Sequence, residues 1–79
     1  MKQDLPGNYS SHVELYLLVA GERYNVAQVA NGSLILRDPR PIPPETAATL
    51  VVKIDSKEER SEVFLREGAL DNKQFVPYF

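Results

Sequence analysis

The sequence contains no cysteine and only one histidine in a chain of 79 residues. The protein therefore has no disulfide bridge, no thiolate zinc site and no cysteine nucleophile. A chain of this length buries only about 60% of the surface that it exposes when unfolded, so we expect a thin hydrophobic core. Without covalent or metal staples, such a small fold depends on close packing, on a partner protein or on self-association.

Long hydrophobic runs and a strong charge of either sign are also missing. The most apolar run, residues 13–20, contains Glu14 and is far shorter than the about 20 residues of a membrane span. The N-terminal residues lack the strongly positive region and the cleavage site of a signal peptide. The formal net charge of −2 does not attract nucleic-acid backbones. We therefore expect a cytoplasmic protein without a membrane partner, and we disfavour nucleic acid as a partner.

No segment shows helical periodicity, and apolar residues instead alternate with polar ones, which is typical of half-buried strands. The strands predicted from this alternation cover residues 12–19, 24–30, 33–37, 49–55, 60–66 and 75–79. The residues predicted to face the core are Val13, Leu15, Leu17, Val19, Leu50, Val52, Ile54, Val63 and Leu65. We expect residues 1–11 to form an N-terminal arm and residues 12–79 to form a single β-barrel-like domain.

Short turns join the predicted strands. A glycine-containing turn at residues 20–23 makes residues 13–30 a hairpin. The apolar face of its second strand changes after Val26, which predicts either a β-bulge or a strand that is apolar on both faces. The Asn-Gly pair at residues 31–32 predicts a second hairpin with a type I′ turn, because both residue types tolerate positive φ. Pro77 restricts the last strand to an edge of the sheet.

Four prolines follow the third predicted strand, at positions 39, 41, 43 and 44. Proline cannot donate a backbone hydrogen bond and biases the preceding residue toward extended backbone, so residues 38–44 predict a stiff, unpaired crossing. Ile42 lies within the crossing, and we expect its side chain to reach the core. Together these features predict an all-β fold, a small antiparallel barrel or roll of five to six strands with a proline-rich crossing between strands 3 and 4.

Residues 31–54 place Asn31 and Ser33 at the start of a strand, followed by a Pro-Ile-Pro sequence at 41–43 and a second apolar strand. In this order of elements the segment resembles the PilZ-type β-barrels, the receptor domains for cyclic di-GMP. The ligand site of that family also has an Arg-x-x-x-Arg pair ahead of the barrel and a glycine three positions after the serine. Here no arginine precedes the first predicted strand, and Leu36 takes the glycine position, so the resemblance implies a barrel topology and argues against binding of the dinucleotide. The chain as a whole is similar to the small uncharacterised proteins of bacterial genomes.

Three arginines, Arg23, Arg37 and Arg40, are the candidates for an anion-binding site, because arginine holds phosphate and carboxylate groups in bidentate fashion. Asp38 separates two of them, and scattered surface charges with local pairing are the alternative interpretation. His12 has no Asp or Ser at a spacing that indicates a proton relay, so we expect no catalytic role for it. One histidine without cysteine is also a poor set of metal ligands, and we expect no metal and no cofactor.

Several aromatic residues are predicted to face away from the core. Tyr16, Phe64, Phe75 and Tyr78 form the candidate interaction surface, because Tyr and Phe are enriched at the centres of protein interfaces. Val51 joins them on the predicted outer face. Either residues of the two termini cover these side chains, or the side chains contact a partner protein or a second copy of the chain.

The sequence contains no recognisable catalytic triad, metal-ligand set or phosphate-binding loop, so we predict that the protein is not an enzyme. The function that we predict is that of a non-catalytic binding or adaptor module acting through protein–protein contact or self-association. One alternative is a PilZ-like or other barrel that senses a small anion or a nucleotide through the arginines. Another alternative is a small OB- or SH3-like nucleic-acid binder that stacks bases on Tyr16 and Phe64.

Overall fold

The computed structural model of the protein describes residues 12–69 and 74–79, so the predicted N-terminal arm lies outside the described residues. The strands are β1 (Val13–Val19), β2 (Glu22–Ala30), β3 (Ser33–Leu36), β4 (Thr46–Ile54), β5 (Lys57–Leu65) and β6 (Phe75–Pro77). They form one antiparallel sheet in the order β5-β4-β1-β2-β3-β6, and the described residues contain no helix. The sheet curls into a half-barrel, which confirms the predicted all-β antiparallel fold.

Strand β2 belongs to both halves of the sheet. It pairs with β1 between Glu22 and Asn25, and with β3 from Val26 onward. The register shifts between Val26 and Gln28, so of the two predicted alternatives the β-bulge is the one that forms. A bulge adds one residue and bends its strand, and here it returns Val29 to the core side of the sheet. The bend in β2 lets the six strands curl round a single core.

The two edges of the sheet meet where β5 passes the residues after β6. Phe64 donates its amide hydrogen to the carbonyl oxygen of Phe79 at 2.9 Å, and Phe79 donates to the carbonyl oxygen of Phe64 at 3.0 Å. A second backbone pair joins Ile42 and Ala69, with hydrogen bonds of 2.6 and 2.8 Å, so the prediction that the proline crossing is unpaired is wrong at Ile42, the residue between Pro41 and Pro43 that keeps its amide hydrogen. The first pair brings the edges of the half-barrel together, and the second ties the proline crossing to the chain after β5.

The core lies on the inner side of the curled sheet. Its buried residues are Leu17, Val19, Tyr24, Val26, Leu34, Leu36, Ile42, Ala48, Leu50, Val63, Leu65, Ala69 and Val76. Leu15 and Val52 are half-buried, whereas Val13 and Ile54, which were also predicted to face the core, are exposed. Val13 and Ile54 pair with each other at the end of β1 and β4, where β1 has already parted from β2, so the core ends before it reaches them.

The turn between β2 and β3 differs from the prediction. A type I′ turn needs positive φ at both central residues, but here φ is positive at Gly32, at 86°, and not at Asn31. The prediction of a type I′ turn is therefore wrong. The positive φ values of a type I′ turn occur instead at residues 20–21, between β1 and β2, at 51° and 83°. Tertiary contacts hold the β2–β3 turn, since Tyr78 donates its amide hydrogen to the carbonyl of Gly32 at 3.0 Å and its hydroxyl to that of Ala30 at 2.8 Å. These contacts outweigh the local preference of an Asn-Gly pair.

The proline crossing starts by running beside β2. The amide of Arg37 donates to the carbonyl oxygen of Asn25 at 2.9 Å, which continues the ladder beyond β3. The prolines on either side of Arg40 have no amide hydrogen to donate. The guanidinium of Arg40 donates instead to the carbonyl oxygen of Arg23 at 2.6 Å, and it stacks on the ring of Tyr24 at 3.9 Å. A side-chain donor thus replaces the backbone donors that proline lacks.

Candidate functional site

The residues at and after β6 place a row of apolar side chains on the outside of the sheet. Val76 is buried and Tyr78 packs against the core. Because successive side chains of an extended chain point to opposite faces, the alternate residues Phe75, Pro77 and Phe79 face outward. The backbone pairings place residues of β3 and β5 directly beside this row. The resulting apolar stripe consists of Ile35, Phe64, Phe75, Pro77 and Phe79, with Ile35 opposite Phe75 and Phe64 opposite Phe79.

The three phenylalanines of the apolar stripe are open to solvent. The exposed fractions are 42% for Phe64, 57% for Phe75 and 64% for Phe79. Single exposed apolar side chains are ordinary on protein surfaces, whereas three aromatic rings in one row form a continuous exposed apolar patch. By contrast, Val51 lies opposite Tyr16 and outside the core cluster, yet it is fully buried. The outer face is therefore covered around Val51 and open along the apolar stripe.

A shallow depression lies at the β3 end of the apolar stripe. It has a volume of about 240 Å³, with Ile35 and Phe75 among its apolar walls and Gln28 and Ser33 among its polar residues. The cross-strand pairs Gln28–Ile35 and Ile35–Phe75 place these side chains in one row. The depression is smaller than the roughly 300–1,000 Å³ of pockets for drug-sized ligands, so it suits one apolar side chain of a partner better than a cofactor.

The four aromatic residues predicted to form one interaction surface do not lie together. Phe64 and Phe75 belong to the apolar stripe. The prediction that Tyr78 faces outward is wrong, because its ring packs against the core and its hydroxyl donates to a backbone carbonyl of β2 at 2.8 Å. Tyr16 is half-buried, and the guanidinium of Arg23 lies 3.9 Å from its ring centre.

Tyr16 is also far from Phe64 along the sheet. Tyr16 pairs with Val51 of β4, Val51 pairs with Arg60 of β5, and Phe64 follows further along the same strand. Four residues of a strand span roughly 13 Å, so the two rings are separated along β5 as well as across β4. The predicted pair of base-stacking platforms therefore has little geometric support.

The three arginines predicted to bind an anion do not all line one cleft, although the guanidinium of Arg40 contacts the backbone of Arg23. Arg40 stacks on Tyr24, and its guanidinium is 3.6 Å from the carboxylate of Glu22. Arg23 and Arg37 line one cleft of about 160 Å³ between β1 and β2. The structure thus brings two of the three predicted residues to one place.

Several contacts hold Arg23 at the mouth of this cleft. Its Nη2 donates to Oε1 of Glu14 at 3.1 Å, and its Nε donates to Oδ1 of Asn25 at 3.0 Å. The hydrogen bond from Arg23 lowers the pKa of Glu14 below its ordinary value; partial desolvation opposes this effect and His12, 3.2 Å away, assists it. Glu14 is therefore a carboxylate held between two nitrogen donors.

The charged residues of β5 take part in surface contacts. Arg60 pairs with Glu58 at 2.5 Å, and Thr49 of β4 donates to Glu62 at 3.3 Å. Among residues 12–69 and 74–79, no three His, Asp or Glu side chains gather in an arrangement that would hold a metal ion. The backbone amide of His12 donates to the carboxylate of Asp55 at 3.0 Å, which fastens the start of β1 to the turn after β4.

The fold defines a small all-β domain with a curled, six-stranded antiparallel sheet. Comparisons of the chain with protein-family models, with curated proteins and with solved structures found no match. The resemblance to PilZ-type barrels therefore stays a prediction. In the part of the chain that the structure describes, no helix has the length and apolar character needed to cross a membrane.

Proposed function

We propose that this protein is a non-catalytic binding module that acts through protein–protein contact or self-association, with the apolar stripe as its contact surface. The observation that carries the proposal is the exposure of Phe64, Phe75 and Phe79 in one row beside an apolar depression. Aromatic residues are enriched at the energetic centres of interfaces. Burial of the three rings against another protein removes apolar surface from water and stabilises the contact by roughly 25 cal/mol per Å².

The free edge of β5 favours a contact through side chains over a contact through strand pairing. One edge of β5 pairs with β4 along the whole strand. On the opposite edge, among the described residues, Phe64 forms the backbone hydrogen bonds, and its partner is Phe79. Residues 57–62 are exposed, and all but Ser61 carry a charge. Charged side chains on an edge strand oppose pairing with a strand of another chain.

The size of the apolar stripe predicts a weak contact. A phenylalanine side chain buries at most about 150–250 Å², so three half-exposed rings contribute roughly 300 Å² per partner. A standard stable interface buries about 800 Å² per partner. We therefore expect an association that depends on protein concentration and that draws on surface next to the stripe.

Sedimentation velocity over a series of protein concentrations tests self-association, with Phe75→Ser as the variant and Ile54→Ser as its matched control. Ile54 is an exposed aliphatic residue outside the apolar stripe. We expect Phe75→Ser to weaken the association about tenfold, as removal of a central aromatic residue does at interfaces, and Ile54→Ser to leave it unchanged.

A photoreactive phenylalanine analogue, placed at position 75 or at position 54, tests contact with other proteins in the cells that make this one. We expect discrete crosslinked products from position 75 and none from position 54. A protein that stays monomeric at high concentration, and that crosslinks equally from both positions, would contradict the proposed contact surface.

A further inference from the structure

The cleft that Arg23 and Arg37 line arises where β1 and β2 part. Strand β1 pairs with β2 as far as Tyr16 and Asn25, and β2 then pairs with β3 instead. The wedge between the two strands, here named the fork cleft, has a volume of about 160 Å³. Its polar lining consists of the two arginines, Asn25 and Glu14, and none of these residues belongs to the apolar stripe.

Positive charge exceeds negative charge around the fork cleft. Arg23 and Arg37 line it, and Glu14 is the carboxylate in the lining. Glu14 pairs with Arg23 at 3.1 Å. The guanidinium of Arg37 has no ion-pair partner among the residues that the structure describes. Within residues 12–69 and 74–79, the fork cleft thus combines one arginine that pairs with a carboxylate, Arg23, and one that does not, Arg37.

Arg23 is positioned before any ligand arrives. Its guanidinium stacks on Tyr16 at 3.9 Å, and its Nε donates to Asn25 at 3.0 Å. A planar guanidinium held in this way loses little side-chain entropy when it binds an oxyanion. Nη2 of Arg23 donates to Oε1 of Glu14 at 3.1 Å, so a carboxylate of the chain itself already binds this guanidinium.

The backbone of β1 adds further donors on the same side. His12 accepts the amide hydrogen of Asp55 at 2.8 Å, so the polar backbone groups of His12 face β4. Because these groups alternate in direction along a strand, the amide hydrogens and the carbonyl oxygens of Val13 and Leu15 both point the other way, toward the fork cleft, which these two residues line. Two backbone amides thus lie on the same side of β1 as the arginine side chains, and the side-chain donors are the ones that favour an anion.

We propose that the fork cleft binds a small oxyanion, the phosphate group of free phosphate or of a phosphate ester, through Arg23 and Arg37. Glu14 occupies Arg23 in the ligand-free protein, and the phosphate group takes its place, because arginine binds phosphate in the same bidentate manner as carboxylate. A cleft of about 160 Å³ is smaller than the roughly 300 Å³ of the smallest pockets for drug-sized ligands, so it holds one anionic group and not a whole nucleotide. This site does not depend on the proposed function of the apolar stripe.

An NMR titration with sodium phosphate at constant pH, compared with sodium chloride at matched ionic strength, tests the proposal. We expect saturable shifts for the amide signals of Val13 and Leu15, and for the Nε–H signals of Arg23 and Arg37, with phosphate only. Arg37→Gln is expected to weaken phosphate binding about tenfold, because it removes a charged hydrogen-bond donor. Arg60→Gln removes the same charge from β5, outside the fork cleft, and is expected to leave the affinity unchanged.

Glu14→Gln tests whether the carboxylate competes with the ligand. We expect this variant to bind phosphate up to about fivefold more tightly, while Glu22→Gln, which changes the net charge equally, has no effect. A titration with adenosine 5′-monophosphate distinguishes the two sources of the phosphate group. If the protein binds this ester no more tightly than inorganic phosphate, the ligand is free phosphate. If it binds the ester more tightly, the ligand is a phosphate ester. Titration without saturable shifts at Arg23 and Arg37, or an equal effect of the two glutamate variants, overturns the proposal.

Discussion

Replacement of Gly68 by alanine tests how closely the proline crossing packs against the chain after β5. Gly68 is buried, has a φ of 62° and precedes Ala69, which exchanges two backbone hydrogen bonds with Ile42. A Cβ atom at Gly68 would overlap the backbone carbonyl groups of Ile42 and Pro43. Backbone atoms cannot rotate aside as the end of a flexible side chain can, so the chain itself has to move.

Two costs add in Gly68→Ala. A non-glycine residue in the left-handed region costs about 1–2 kcal/mol. Relief of the overlap disturbs the two hydrogen bonds between Ile42 and Ala69, each of which contributes about 0.5–1.5 kcal/mol. We therefore expect the free energy of unfolding to fall by about 2–5 kcal/mol. A chain of 79 residues has a total stability of roughly 4–12 kcal/mol, so the variant loses a large fraction of it.

Urea unfolding followed by circular dichroism measures this loss, with Gly21→Ala as the matched control. Gly21 also has a positive φ, of 83°, but a Cβ atom there meets nothing within 4 Å. The control is therefore expected to show the conformational cost alone, about 1–2 kcal/mol. Equal losses of stability in the two variants would refute the close approach between Gly68 and the proline crossing.

Three further changes have effects that the structure predicts. Leu17→Ala empties a fully buried position, and denaturant unfolding should show a loss of about 2–5 kcal/mol. Arg40→Gln removes the stack on Tyr24 and a hydrogen bond to the backbone, and should cost about 1–2 kcal/mol in the same assay. The pKa of Glu14 is lowered by the hydrogen bond from Arg23, so the stabilisation by this pair is present above the ordinary pKa of 4.5 and is lost as the pH falls through the lowered value. In an NMR pH titration, Arg23→Gln should raise the pKa of Glu14 back toward 4.5, and an unchanged pKa would contradict the pairing.

The alternation of apolar and polar residues predicted the six strands and the centre of the core, but β4 and β5 each begin three residues earlier than predicted, at Thr46 and Lys57. Leu17 and Leu50 are buried because each lies in the middle of a stretch in which every second residue is apolar. The change of face after Val26 marked the place of the bulge in β2, although the pattern alone also allowed a strand with two apolar faces. These features are local, and period-two patterns report them directly.

The exposed ends of the strands did not follow from the same pattern. Val13 and Ile54 continue the alternation of β1 and β4, but they are solvent-exposed because β2 has turned away toward β3 before it reaches them. The outer face of β4 also departs from the pattern. Val51 lies there between its cross-strand neighbours Tyr16 and Arg60, and it is fully buried although the alternation places it on the outer face.

The apolar stripe was predicted only in part. Phe64 and Phe75 were identified, but Ile35, Pro77 and Phe79 join them only through the order of the strands, in which β6 lies beside β3 and its continuation meets β5. The fork cleft likewise depends on the point at which two paired strands separate. Such placements arise from pairings between residues that are distant in the sequence, and no local pattern encodes them.

In the part of the chain that the structure describes, a single residue pair, Phe64 and Phe79, joins β5 to the residues after β6. No adjacent backbone pair there reinforces these two hydrogen bonds. The two amide hydrogens, those of Phe64 and Phe79, should exchange with deuterium through small local openings. The amide of Leu50, in a strand flanked on both sides, should exchange only when the whole domain unfolds. We therefore expect the hydrogen bonds between Phe64 and Phe79 to open before the rest of the sheet. They lie beneath the exposed aromatic rings that a partner would cover.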